Sequence, residues 1–259
     1  MGKPIRIRYG TGEHHFADLR LPKCEQLHPV VIVIHGGFWK AQYGLDLMDA
    51  MSDDLAERGF ATWNIEYSRV GHEGGGYPGT LIDVGRAVDH LREIADEYRL
   101  DLGHVYTIGH SAGGHLALWT AGRHRLPAGS VVSAADPLPI HGAVSLAGAN
   151  DLHLMWEVRQ VESPVVGFLG GTPDEVPERY ALASPAQLLP LGVPQALIHG
   201  LDDVDVPPVL SSSYREQAVA AGDQVEWIEL ADVEHFKVID PASEAWPPIV
   251  AALLNLYGK

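Results

Sequence analysis

Apolar positions along the chain switch repeatedly between two periods. Residues 30–34, VVIVI, are an unbroken β-branched run, the pattern of a strand buried on both faces. Leu45, Met48, Met51 and Leu55 then recur at helical spacing, and Gly59 follows as a stop. Residues 61–67, ATWNIEY, read as a strand, and Leu81, Val84, Val88, Leu91 and Ile94 mark one amphipathic helix. Strands at 104–109, 141–148, 193–200 and 225–230 follow, with a helix containing 116–121 and another around 208–220 that Gly222 ends. Trp246, Ile249, Val250, Leu253 and Leu254 carry a closing helix, and residues 5–9 and 15–21 open the chain as an antiparallel pair. This alternation predicts a single α/β domain over 1–259, with a mostly parallel eight-stranded sheet flanked by helices on both faces. The longest stretch between core elements, 153–186, contains Met155, Trp156, Val161, Phe168 and Leu169. It reads equally as a small lid over a site or as a cover for the core.

The chain has 259 residues and a formal net charge of −16, which repels phosphate backbones and argues against nucleic-acid binding. The basic start, MGKPIRIRYG, has no apolar stretch of a signal peptide, and Arg6 stands where a myristoylation signal needs Ser or Thr. VVIVI is too short to span a membrane. The lone cysteine, Cys24, provides neither an internal disulfide nor a CxxC metal site. A soluble cytoplasmic protein is expected, with no membrane partner and with a homodimer as an open possibility. Glu13, His14 and His15 lack HExxH spacing, and residues 68–80 are glycine-rich but lack the GK[ST] of a phosphate loop. Neither a metal nor a cofactor is expected.

In a parallel sheet, ligands bind at the carboxyl ends of the strands, so the residues after each strand matter most. Gly109-His110-Ser111-Ala112-Gly113 fits G-x-S-x-G between a strand and a helix. In that context the serine sits on a sharp turn that lifts its hydroxyl above the sheet, and side chains at −2 and +2 would collide with neighbouring backbone. A serine hydroxyl needs a base, usually a histidine held by a carboxylate. His235 follows the last strand, where a loop can hang an imidazole over the serine. HGLDDVDVP, after the strand ending near residue 200, offers Asp202, Asp203 and Asp205. Asp203 is the chosen acid and Asp202 the runner-up; the D-D-x-D spacing does not fit a calcium loop. HGGFW, residues 35–39, follows VVIVI and provides candidate oxyanion donors in the N–H groups of Gly37 and Phe38, with Gly36 also considered, besides that of Ala112. His35 reads as a structural hydrogen-bonder of that loop. Trp39 reads first as a packing anchor; with His110, Tyr77 and Trp156 it completes the candidate substrate contacts.

HGGFW, GHSAGGH, HGLDDVDVP and EHF together resemble the α/β-hydrolase superfamily, in particular its kynurenine formamidase (arylformamidase)-like and hormone-sensitive-lipase-like esterase branches. The formamidase branch carries HGGxW, matched from His35 to Trp39. The lipase-like branch usually has HGGG and an aspartate before the serine, where this chain has Phe38 and His110. The resemblance implies an α/β-hydrolase fold and a Ser111, Asp203, His235 triad; its HG-x-x-D-x-x-VP pattern favours Asp203 over Asp202. The expected activity is hydrolysis of small carboxylic esters through an acyl-enzyme. Arylformamidase activity is the alternative, and a non-catalytic ligand receptor is a third reading.

Overall fold

The computed structural model describes residues 3–24, 26–160 and 163–258. Within them, strands β1 (Ile5–Arg8), β2 (Phe16–Arg20), β3 (His28–Ile34), β4 (Ala61–Ile65), β5 (Leu100–His110), β6 (Gly142–Leu146), β7 (Gln195–Gly200) and β8 (Val225–Leu230) form one sheet in the order β1-β2-β4-β3-β5-β6-β7-β8. The first two are antiparallel to each other, and β2 is antiparallel to β4; every later neighbour pair is parallel. The fold is that of an α/β-hydrolase.

The β-branched run explains why β3 lies near the middle. Val30, Ile32 and Ile34 face one core and Val31 and Val33 the other, all fully buried. Each such side chain contributes roughly 1.5–3 kcal/mol by leaving water, and only a central strand buries both faces. Helices α1 (Asp49–Glu57) and α9 (Trp246–Tyr257) cover the Val31 face; α2 (Gly79–Asp89), α3 (Leu91–Tyr98) and α4 (Ala112–Ala121) cover the other. Every residue of α4 is buried, so it is apolar all round rather than striped.

Two elements differ from the sequence reading. The single helix expected over Leu81–Ile94 is two, joined at His90. Trp63 Nε1–H donates to the carbonyl of Ala87 at 2.8 Å, an oxygen that a continuous helix would use for the amide of Leu91. Strand β5 starts at Leu100, several residues earlier than its apolar pattern, because Leu100 and Asp101 pair with His28 and Pro29 before the register shifts.

The stretch 153–186 folds as α5 (Leu152–Arg159), α6 (Pro164–Leu169) and α7 (Pro177–Ala183). Met155, Val165, Phe168, Leu169 and Tyr180 are buried in the same core as α4, and the Phe168 ring stacks on Trp39 at 4.6 Å. Trp119 Nε1–H donates to Leu182 O at 2.9 Å, and the His115 ring reaches Ala183 O at 2.8 Å. These contacts weld the segment onto α4. Val161, named among its apolar residues, lies outside the described residues. No helix among the described residues is long and apolar enough to cross a membrane.

Candidate active site

Two glycines place Ser111. A Cβ on Gly109 would lie 2.0 Å from the Gly113 carbonyl oxygen, and one on Gly113 would lie 2.0 Å from that of Ile34. With neither present, β5 turns into α4 through one residue. That residue, Ser111, has φ +58° and ψ −121°, a conformation costing an L-residue about 1–3 kcal/mol. Its N–H donates to Leu146 O at 2.8 Å, which fastens the strained turn to β6. The N-terminus of α4 behind it favours negative charge.

The loop after β3 runs beside this turn. Gly37, Phe38 and Trp39 have successive φ values of +108°, +51° and +56°. The loop is braced from below: the His35 ring nitrogens lie 2.8 Å from Gly36 O and 3.1 Å from Glu66 Oε1, and Tyr67 O–H donates to His35 O at 2.7 Å. Glu66 also accepts from the amides of Leu45 and Tyr67 and pairs with Arg69 at 3.0 Å. Burial would raise its pKa, but His35 and Arg69 hold it below the usual carboxylate value. Gly36 packs on the serine turn, since a Cβ there would meet His110 O at 2.7 Å. Among the described residues, no protein acceptor engages the N–H groups of Gly37, Phe38 or Ala112.

The acid and the imidazole meet on the far side. His235 Nδ1–H donates to Asp203 Oδ2 at 2.6 Å, and both side chains are buried. Asp203 Oδ1 accepts the amides of Asp205 (2.9 Å) and Val206 (2.8 Å). His199 Nε2 lies 3.2 Å from Oδ2 as well. Burial by itself would raise the Asp203 pKa; hydrogen bonds from His199 and His235 reverse that and hold it far below the ordinary carboxylate range. The two loops are stitched together, with Asp202 N–H donating to Val233 O at 3.1 Å. His110 Nε2–H donates to His235 O at 2.8 Å, which fixes the imidazole-bearing loop to the serine turn.

Ser111, His235, His110, Gly37 and Phe38 line one cavity of about 80 Å³. Tyr43, Leu47 and Phe236 add apolar surface, and Asp205 completes the lining. Burial, then the neighbouring His235 ring, pushes the His110 pKa down to about 3, so His110 is neutral there. The other candidate contacts lie elsewhere. Trp39 is fully buried and donates from Nε1 to His115 Nδ1 at 3.3 Å. Tyr77 donates its N–H to Phe168 O and sits under Arg179 at 5.4 Å, and Trp156 packs half-buried against the core. A larger cleft of about 680 Å³, lined by His14, His15, His72 and Asp83 among others, shares no residue with the Ser111 cavity. There His15 pairs with Asp83 at 2.9 Å, and no group of three metal-ligating side chains occurs among the described residues.

The sequence reading missed Tyr43 and Leu47, which belong to no chemical motif, and gave no role to Phe236, which ends EHF, or to His199, which opens HGLDDVDVP. Its position at the end of a strand, four residues before Asp203, was the available signal.

Comparison with known proteins agrees with the fold. The chain is 25% identical to the kynurenine formamidase of Danio rerio over 271 residues, 98% of this chain and 81% of that protein. It is 27% identical to esterase LipQ of Mycobacterium tuberculosis over 255 residues, 89% of this chain and 56% of LipQ. A shorter stretch, 34% identical over 115 residues, aligns 40% of the chain with 4% of the non-reducing polyketide synthase Preu3 of Preussia isomera. Among solved structures, a truncated carbohydrate esterase from gut microbiota superposes with a TM-score of 0.87 at 21% identity, covering 98% of this chain and 95% of that one. Propionate-bound esterase Est2 of Thermogutta terrifontis gives 0.77 at 19% identity, covering 98% and 92%. The profile of the BD-FAE family matches residues 17–217, and the chain therefore belongs to that family, within the α/β-hydrolase serine hydrolases.

Proposed function

We propose that this protein hydrolyses small carboxylic esters through Ser111, His235 and Asp203. The observation that carries the reading is the 2.6 Å Asp203–His235 pair, whose histidine shares a small cavity with a serine held at φ +58°. His235 Nε2 takes the Ser111 proton as Oγ bonds to the ester carbonyl carbon, and Asp203 keeps the other ring proton on Nδ1. The N–H groups of Gly37, Phe38 and Ala112 receive the oxyanion. The tetrahedral intermediate expels the alkoxide, which takes the proton from His235 Nε2. Water then attacks the acyl-Ser111 ester by the same path and releases the acid.

The cavity of about 80 Å³ suits a short acyl chain, given that a water occupies about 30 Å³ of liquid. The alcohol part leaves past Tyr43 and Phe236, which are 41% and 40% exposed. Formamide hydrolysis is the second reading, favoured by the full-length similarity to kynurenine formamidases. N-formylkynurenine, however, carries a carboxylate, and neither Lys nor Arg lines the cavity among the described residues, whereas Asp205 does. Arg69 is buried against Glu66 and Lys40 is exposed outside the lining. The test is kcat/KM for p-nitrophenyl acetate and butyrate against N-formylkynurenine, with an acetylated oligosaccharide added because structural neighbours are described as carbohydrate esterases. The esters are expected to exceed the formamide; a formamide value about tenfold above both p-nitrophenyl esters reverses the assignment.

A further inference from the structure

The carboxylate of Asp203 is shared by two histidines, and a chain of buried hydrogen bonds stands behind the second. Ser145 O–H donates to Asn150 Oδ1 at 2.8 Å, and Asn150 Nδ2–H donates to Ser211 Oγ at 3.1 Å. Ser211 Oγ lies 2.8 Å from His199 Nδ1, and His199 Nε2 lies 2.8 Å from Val206 O and 3.2 Å from Asp203 Oδ2. Ser145, Asn150, Ser211 and His199 are each 0% exposed. They come from β6, the loop after it, α8 (Val209–Ala220) and β7.

The chain has a direction. His199 Nε2 faces two oxygens that can only accept, so it carries a proton. Asn150 Nδ2 is a donor, and His199 Nδ1 is the one acceptor that the Ser211 O–H reaches among the described residues, so the hydroxyl points there and Nδ1 is the bare nitrogen. His199 is thereby a neutral ring, donating from Nε2. A protonated His199 would put a second cation on the carboxylate that has to balance the His235 imidazolium formed during reaction. A neutral donor orients the carboxylate and leaves its charge for His235.

We infer that His199 is a positioning residue for the reaction, held as the neutral Nε2–H tautomer by Ser145, Asn150 and Ser211, and that it aims Asp203 at His235. The inference rests on the Ser111, His235, Asp203 reading above. Removing the donor concentrates charge on Asp203, which then binds the His235 proton more tightly. His110, with its ring 4.4 Å from that of His235, faces the imidazole, Asp205 lines the same cavity, and both are unchanged by the substitution.

The experiment compares His199→Leu, His199→Gln, Ser211→Ala and Ser111→Ala with the wild type, measuring kcat and KM for p-nitrophenyl acetate from pH 5 to 9 together with Tm. Leucine fills the space without a donor, whereas glutamine places an N–H near the position of Nε2. His199→Leu is expected to lower kcat about tenfold or more with KM within about twofold, and to move the acid limb of the profile to higher pH. His199→Gln is expected to recover most of the rate. Ser211→Ala strips Nδ1 of the donor that holds the tautomer, so its kcat is expected to fall by about threefold or more, less than in His199→Leu, with KM within about twofold. Should His199→Leu fail to fold, the split between kcat and KM in Ser211→Ala and His199→Gln decides alone. The inference is overturned if His199→Leu keeps wild-type kcat and an unmoved limb, if the leucine and glutamine variants lose rate equally in step with Tm, or if Ser211→Ala keeps wild-type kcat. Ser111→Ala separates the two levels: lost turnover there with wild-type His199→Leu removes only the role of His199, whereas retained turnover in Ser111→Ala removes the proposed mechanism and this role with it.

Discussion

Asp202, Asp203 and Asp205 are close in sequence and have three different surroundings. Asp202 is exposed, Asp205 lines the cavity, and the Asp203 side chain is buried with both oxygens occupied. Of the three, Asp203 is the one bonded to His235 Nδ1, and in the proposed mechanism a base that accepts at Nε2 must hold its proton at Nδ1. Asp203→Asn presents an amide N–H where an acceptor is required and is expected to lower kcat at least ~10³-fold, while Asp202→Asn stays within about twofold. Ser111→Ala and His235→Ala are expected to fall at least ~10³-fold with little change in unfolding free energy. Steady-state kinetics on p-nitrophenyl acetate check the set; near-wild-type turnover in the Ser111 or His235 variant, or a worse Asp202→Asn than Asp203→Asn, removes the assignment.

Elements set the accuracy of the site. The turn from β5 to α4 works only because backbone passes within contact of backbone, and the Ile34 carbonyl that Gly113 skirts belongs to the central strand. Neither partner can yield. Gly113→Ala is expected to destabilise the fold by more than about 3 kcal/mol or to leave no folded protein. Gly167 in α6 makes the opposite case: it is exposed, and a Cβ there would meet nothing within 4 Å. Gly167→Ala is expected to stabilise by about 0.5–1 kcal/mol through helix propensity. Denaturant midpoints for the two variants give the comparison, and a Gly113→Ala protein as stable as wild type would contradict the geometry of the turn. The α5–α7 segment is likewise an element-scale matter: the stacking of Phe168 on Trp39 gives HGGFW a tryptophan that anchors the cover of the core.

Over the whole molecule, buried histidines couple stability to pH. Burial pushes the pKa of His115 down to about 4 and, with the His235 ring, that of His110 to about 3. His115 has the contacts of a neutral ring, since Trp39 Nε1–H donates to its Nδ1. In the unfolded chain both titrate near the ordinary value of about 6.5. The unfolded state therefore takes up protons as pH falls below about 6.5, while the fold does not until about 4. Stability conferred by the neutral rings is full above the unfolded value and is lost as pH drops through this window. Each contributes roughly 2 kcal/mol of loss between pH 7 and 5. His28 and His72 are shifted in the same direction and add to it. The depressed carboxylates, Asp203 and Glu66, act only at lower pH. Urea unfolding at pH 7 and pH 5 measures the effect, and equal free energies at the two values would refute it.

Local rules suffice for much of this protein. β-branched runs and helical spacing determined the strands and the covering helices, because burying a stripe or a face is a property of consecutive residues. G-x-S-x-G after a strand determined the strained serine, since the collision that demands its glycines arises within five residues and one neighbouring strand. Asp203 and His235 could be nominated from their places after strands. Their 2.6 Å approach could not, because it depends on how β7 and β8 sit side by side and on two loops bonded through Asp202 and Val233. The break at His90 came from Trp63 on another element, and the cavity rim came from Tyr43, which has no motif, and Phe236, which EHF names without placing. His199 shows the division most plainly. It opens HGLDDVDVP, yet nothing in that pattern shows that its ring reaches Asp203 or that Ser211 and Asn150 stand behind it, residues that only packing brings within reach.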